Sequence, residues 1–176
     1  MTSAVPLERF HDLANLPDAG FEISIVARAD DLRRLAEWAG VDEVTRLVGH
    51  IDIRPQSRTR FLLETEFEAD IVQKSVVSLE PVRSTIARRF TRTLRLAPGL
   101  YRHADKGGLV TPASADDEAP EEIESARYDL AGPLREELSL AIDPYPRAPG
   151  ESFEPPGDED SPESPFAVLE KLNRQR

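Results

Sequence analysis

Glu64, Glu66, Glu68 and Asp70 recur at every second position, the spacing that sets four carboxylates along one face of a β-strand. Such a row offers cation binding, or a paired general acid and base. Alternate residues on one strand face lie about 7 Å apart, and a flat row has no pocket to raise a carboxylate pKa. The spacing therefore reads as the solvated face of a half-buried strand. A second run is basic: Arg83, Arg88, Arg89, Arg92, Arg95, Arg102 and Lys106 share their stretch with a single acid, Asp105. Two readings stand side by side. Either the arginines pair across a ribbon with the acidic row, each exposed pair contributing under about 1 kcal/mol, or they form a cationic strip for RNA phosphates. Seven basic residues outnumber four acids. The strip lacks interleaved exposed aromatics, which argues against reading a single strand by base stacking.

The remaining candidates carry little. His11, His50 and His103 are far apart and lack metal-ligand spacing, so each reads as structural or solvent-exposed. The serines form no G-x-S-x-G elbow, and Gly107-Gly108 is too short for a phosphate loop and is not followed by Lys-Ser or Lys-Thr. There is no cysteine, which excludes disulfides, thiolate catalysis and the commonest zinc ligands. The expectation is a protein that is not an enzyme and uses no metal or cofactor.

These residues need elements to hold them. Residues 60–96 read as one long antiparallel ribbon. In its first arm Phe61, Leu63, Thr65, Phe67, Ala69 and Ile71 share a face opposite the acidic row. After a turn at 75–81, residues 84–96 form the return arm, with Ile86, Phe90 and Leu94 apolar. Arg88 and Arg92 interrupt that face, so a bulge or a sheet edge is expected there. Upstream, residues 1–20 read as an irregular lead-in and 21–27 as a strand. A helix follows, with Asp30 and Asp31 at its start, Leu32, Leu35, Ala36 and Ala39 on its stripe, and Gly40 at its stop. Trp38 reads as a core anchor at the end of that helix. Residues 44–54 alternate as a further strand of the 21–106 sheet-rich core. Beyond it lie an acidic flexible linker at 107–128 and a helix at 129–142 with Pro133 in its first turn. A proline-rich acidic segment covers 143–163, and a C-terminal helix covers 164–176, with Phe166, Leu169 and Leu172 as a docking stripe. The fold class is α+β: a twisted, mainly antiparallel sheet with a long two-stranded ribbon, a helix after the first strand, and two C-terminal helical segments.

The net charge of −11 over 176 residues is unevenly spread. Residues 1–112 carry 16 acidic and 16 basic side chains, residues 113–164 carry 16 and 3, and residues 165–176 carry 1 and 3, giving 0, −13 and +2. A charge-balanced body thus precedes an acidic, proline-rich region. Nucleic-acid binding has to be argued from local patches. No apolar run approaches the length of a membrane span, and the N-terminus does not read as a signal peptide, so a cytoplasmic location without membrane contact is expected.

Within this frame Gln73-Lys74-Ser75-Val76-Val77-Ser78-Leu79-Glu80-Pro81-Val82 resembles the signature of the YceD family, the large ribosomal RNA subunit accumulation proteins. Members carry C-x-x-C-L-E-P-V, or a close variant, at the tip after a long amphipathic strand. Here Ser75 and Ser78 stand at the cysteine positions. Asp143-Pro144-Tyr145-Pro146-Arg147 is similar to the family's proline-rich run after its second helix. The stretch Ser164-Pro165-Phe166-Ala167-Val168-Leu169-Glu170-Lys171-Leu172 is similar to its N-P-F-A-V-L-x-x-L ending. The resemblance implies a non-enzymatic factor supporting large-subunit ribosomal RNA accumulation or processing and ribosome assembly. Its implied partner is large-subunit ribosomal RNA or a ribosomal protein, with no small-molecule substrate. Serine hydroxyls are poor zinc ligands, so any shared role proceeds here without a thiolate site. The loop Ser75, Ser78, Leu79, Glu80, Pro81 and Val82, with Arg83, Arg88, Arg89, Arg92 and Arg95, is the expected contact surface. The alternative is a protein-interaction adaptor with no direct RNA contact.

Overall fold

Strict alternation of apolar and charged residues selects strands, and the longest alternating stretch builds the centre of the molecule. The structure, a computed structural model, describes residues 5–97 and 119–152. The elements in order are β1 (Phe10–Asp12), a 3-10 turn (Leu13–Asn15), β2 (Phe21–Val26), α1 (Ala29–Ala39), β3 (Glu43–Pro55) and β4 (Arg60–Lys74). Then come β5 (Pro81–Leu96), β6 (Glu121–Ile123), β7 (Arg127–Asp129) and α2 (Gly132–Ala141). Five strands make one open, twisted sheet in the order β2-β3-β4-β5-β6, while β1 and β7 form a separate two-stranded pair. The fold is α+β, antiparallel except where Leu94, Arg95 and Leu96 run parallel to Glu121, Glu122 and Ile123.

The ribbon is β4 with β5. Its register runs unbroken from Arg60–Arg95 to Lys74–Pro81. Phe61, Leu63, Thr65, Phe67, Ala69 and Ile71 are each at most 4% exposed and form the inner face. Fully burying one of these large apolar side chains contributes about 1.5–3 kcal/mol. At the interruption by Arg88 and Arg92 β5 has no bulge and, among the described residues, is an edge: its last three residues alone pair with β6. The bulge lies in β3, where the register shifts between Val44 and Arg46 and leaves Thr45 extra. Val44 and Leu47, three residues apart, therefore both reach the core.

Two helices cover parts of the inner face. In α1 the Asp31 carboxylate accepts the Arg28 backbone N–H at 3.3 Å, and Gly40, at φ +69°, ends the helix with its N–H on the Ala36 carbonyl. Leu35 and Ala36 are buried, but Trp38 lies on the flank of that stripe and is 41% exposed, so it is not the expected anchor. Helix α2 starts at Gly132, with Pro133 in its first turn, and buries Leu134 and Leu138. Gly49 lets it approach: a Cβ there would stand 3.0 Å from Leu134 Cδ1 and 3.2 Å from the Glu66 carbonyl. Among the described residues no helix is long and apolar enough to cross a membrane.

Three boundaries differ from the sequence reading. Residues 10–15 are not an irregular lead-in: they form β1 and a 3-10 turn, and Leu7 and Leu13 are buried beside them. Residues 121–129, assigned to linker and helix start, form β6 and β7, because Ile123 and Leu130 reach the core and Tyr128 packs against it. Residues 143–152 are not simply an acidic spacer, since they bond back to the β4–β5 tip. The C-terminal helix expected at 164–176 lies outside the described residues.

Candidate nucleic-acid interface

The tip is built around Ser75, which is fully buried. Its N–H donates to the Glu80 carbonyl at 2.8 Å, closing the hairpin, and its own carbonyl accepts the Leu79 N–H at 3.0 Å. Its Oγ accepts the N–H groups of Val77 at 3.1 Å and Ser78 at 3.2 Å, the local bonding that makes serine a turn-former. Ser78 Oγ accepts the Glu80 N–H at 3.3 Å. Leu79 takes φ +64° and is 71% exposed. A left-handed, solvent-facing leucine is costly and persists only where its neighbours fix it. Pro81 opens β5 opposite Lys74, and Val82 is half-buried opposite Gln73.

A second segment holds this loop in place. The Val76 N–H donates to the Pro146 carbonyl at 2.9 Å, and Gln73 Nε2 donates to the Asp143 carbonyl at 3.0 Å. Ser75 Oγ donates to the Glu151 carboxylate, which also accepts the Ala148 N–H at 2.8 Å. Hydrogen bonds from Ser75, then from Ser78 and from the Ala148 backbone, hold the Glu151 carboxyl below its ordinary pKa. Sequence reasoning singled out 143–147 as a motif but not as the loop's support, and it missed Glu151. Two motifs seventy residues apart carry no mark of mutual contact.

The five arginines do not form one strip, because strand alternation divides them. Arg88 and Arg92 leave β5 on the inner face, opposite Phe67 and Leu63; Arg83, Arg89 and Arg95 leave on the outer face. Arg92 is held by Glu136 at 2.7 Å, Glu137 at 3.2 Å and Glu121 at 3.3 Å. Burial lowers its pKa, and the hydrogen bonds to Glu136 and Glu137 more than offset this, so it stands above the ordinary arginine value. Its guanidinium also lies 5.5 Å from the Phe90 ring centroid. Arg95 pairs with Glu122. Arg83, Arg88 and Arg89 are exposed and form no ion pair among the described residues.

The acidic row is served from its other side. Arg46 on β3 reaches Glu68 at 2.6 Å and Asp70 at 3.7 Å, and Thr85 on β5 donates to Asp70 at 2.6 Å. Cross-strand neutralisation thus occurs, with partners other than the β5 arginines. The row borders an open trough of about 540 Å³ across β3, β4 and β5, lined in part by His50, Glu66, Glu68 and Arg89. His11 stacks on Phe21 and His50 lies 3.9 Å from Glu22, so the two described histidines stay separate. Phe166, Leu169 and Leu172, with Arg102, His103 and Lys106, lie outside the described residues.

Tip, open edge, supporting segment and α2 all fall within one stretch of similarity. The family model for the large ribosomal RNA subunit accumulation protein YceD matches residues 63–173, well over half of the 176-residue chain. No curated protein and no solved structure matches the chain. On the extent of the family match, and with a tip motif, edge and proline-rich segment in one connected region, the chain belongs to the YceD family.

Proposed function

We propose that this protein is a non-catalytic factor in large-subunit ribosomal RNA accumulation or processing that contacts RNA along the open edge of β5 beside the hairpin tip. The observation that carries this reading is the set Arg83, Arg88 and Arg89: exposed cations with no ion pair among the described residues, on a strand edge that no described strand covers, inside the family-matched stretch. A polyphosphate approaching the edge meets side chains from both faces, so the alternation that splits the strip does not separate these three. Contact is by charge and shape, without a cofactor. The carboxylates of Glu68 and Asp70 are committed to Arg46 on an open face, which favours a binding role over acid–base work.

The test is binding of the full chain to a large-subunit ribosomal RNA precursor over a salt series. Replacing Arg83, Arg88 and Arg89 with Ala is expected to weaken binding and to flatten the log–log salt slope by about 2–3. Arg95→Ala is expected to change affinity little. Binding that survives both the triple change and high salt would refute the edge as the contact.

A second reading has its own observation. Val76, Leu79 and Tyr145 are 47%, 71% and 69% exposed and belong to the loop and the segment bonded to it. An apolar tip of this kind suits a ribosomal protein or another protein partner. Pulldown of a ribosomal protein that persists after RNase treatment and is lost in Leu79→Asp would favour the adaptor.

A further inference from the structure

The two long edges of the sheet are made differently. β5 opens with Pro81 and carries Arg83, Arg88 and Arg89, the proline-bearing, charged composition that deters pairing with another strand. At the other edge β2 reads Phe21-Glu22-Ile23-Ser24-Ile25-Val26, with no Lys, Arg or Pro, and it pairs with β3 in unbroken register. The Ala27 N–H donates to the Leu47 carbonyl at 3.0 Å. In an antiparallel ladder that bond fixes the alternation. Ile23 and Ile25 turn their N–H and C=O toward β3, while Glu22, Ser24 and Val26 turn theirs outward. Among the described residues no strand pairs with this outward row. Val26 is 69% exposed and Ile23 is half-buried, so apolar surface accompanies the open backbone.

We propose that β2 pairs antiparallel with β2 of a second copy of the chain, about a two-fold axis through Ser24, so that the two sheets join edge to edge. In this register the strand is complementary to itself, which a two-fold contact requires. Ser24 meets the second copy's Ser24, Glu22 faces its Val26, and Ile23 faces its Ile25. Arg28 follows in extended conformation, at φ −86° and ψ 166°, and continues the line of β2. It is exposed and has no ion pair among the described residues. The register sets it diagonally across from the second copy's Glu22, within reach of a salt bridge that symmetry makes twice. The two Glu22 side chains stand four residues apart along the strands, about 14 Å, and do not repel at close range. An unrelated strand would have to supply this match of charge, apolar pairs and small residue, whereas a second copy carries it. Both β5 edges fall on the outer sides of the joined sheet, so the pairing does not use the surface proposed for RNA.

Sedimentation of the full chain over a concentration series up to about 1 mM is expected to show a reversible monomer–dimer equilibrium. Ser24→Pro removes both N–H donors at the axis and leaves the β2–β3 ladder whole, because that N–H faces outward. It is expected to weaken dimerisation about tenfold or more with an unchanged far-UV circular dichroism spectrum. A second variant leaves the backbone untouched: Glu22→Arg is expected to weaken dimerisation, and adding Arg28→Glu to restore it. The chain has no cysteine, so Glu22→Cys provides a single site for a nitroxide label that reads the register. In a mixture of labelled chains with isotope-enriched parent, the label is expected to broaden the Val26 and Arg28 amides most. A parent that stays monomeric throughout the series would overturn the proposal. Slow amide exchange at Glu22, Ser24 and Val26 in that monomer would then assign the edge to another part of the same chain. A dimer that both variants leave intact, or broadening centred elsewhere, would overturn the proposal as well. The triple change of Arg83, Arg88 and Arg89 to Ala is expected to dimerise like the parent, so failure of the RNA reading would leave the dimer standing.

Discussion

Ser75 shows how one side chain sets a larger surface. It is buried, its backbone closes the hairpin, and its hydroxyl accepts two loop N–H groups while donating to Glu151. Alanine would remove all three side-chain bonds at once. The Glu151 end is the titratable one, and its direction fixes the sign of the pH effect. A carboxyl whose folded pKa is lowered contributes stability that is fully present above its unfolded pKa and is lost as pH falls through the folded value. The tip is therefore expected to stay closed through the neutral and mildly acidic range and to loosen only below the ordinary glutamate pKa of 4.5. Amide shifts of Val77 and Ser78 followed from about pH 7 down to about pH 3 should move only at the acid end, and Glu151→Gln should abolish that movement. An identical titration in parent and variant would remove Glu151 from the account. The serine–glutamate pairing was not legible in the sequence, because hydrogen bonds across seventy residues leave no periodicity behind.

At the scale of elements, β5 is the strand whose pattern was half legible. Its apolar set Ile86, Phe90 and Leu94, interrupted by Arg88 and Arg92, left a bulge or an edge open, and among the described residues β5 is an edge without a bulge. The continuous inner face of β4 was legible for the same reason, since a strand buried on one face has no other way to arrange its side chains. What alternation could not disclose is which acids reach which arginines. Arg92 is claimed by Glu121 beside β5 and by Glu136 and Glu137 on α2, so it joins β5, β6 and α2. With Arg92 only 22% exposed and its partners 28–61% exposed, Arg92→Met is expected to cost about 1–2 kcal/mol in urea unfolding. It leaves three carboxylates close together without their shared cation, Glu121 keeping its bond from the Tyr128 hydroxyl. RNA affinity is expected to stay within about a factor of two, the reverse of what is expected for the Arg83, Arg88 and Arg89 variant. A loss of RNA affinity with unchanged stability would return Arg92 to the interface. The same blindness to distant pairing hid β6 and β7, three residues each, whose strand character comes from their partners and not from their own sequence.

On the scale of the whole molecule, the two ends of the described fold are fastened together. β1 pairs with β7, Phe10 facing Asp129, and the Leu130 N–H donates to the Arg9 carbonyl at 2.9 Å. Asp129 and Arg135 sit at the centre of this closure. Their carboxylate and guanidinium meet at 2.6 Å with side chains only 14% and 10% exposed. Asp129 also accepts the N–H groups of Arg9 and Ala131, and Arg135 donates to the Leu7 carbonyl at 3.4 Å. The N-terminal segment, the β1–β7 pair and α2 thus depend on one ion pair that is mostly removed from water. Taking away one partner strands the other charge, so Asp129→Ala is expected to lower unfolding stability by about 3–5 kcal/mol. Removing both charges, with Asp129→Leu and Arg135→Met, should recover much of that loss, since a buried pair is often replaceable by apolar groups of similar size. Chemical denaturation of Asp129→Leu, Arg135→Met and the double variant decides the matter. Additive losses would mean that the two residues act separately, whereas a double variant more stable than Asp129→Leu alone would place the coupling at this contact. Because α2 also carries the glutamates that hold Arg92, loosening this closure should also expose Arg92 to solvent. Binding of poly(U) by Asp129→Ala should then rise at low salt, tying the fastening of the two ends to the charge of the β5 edge.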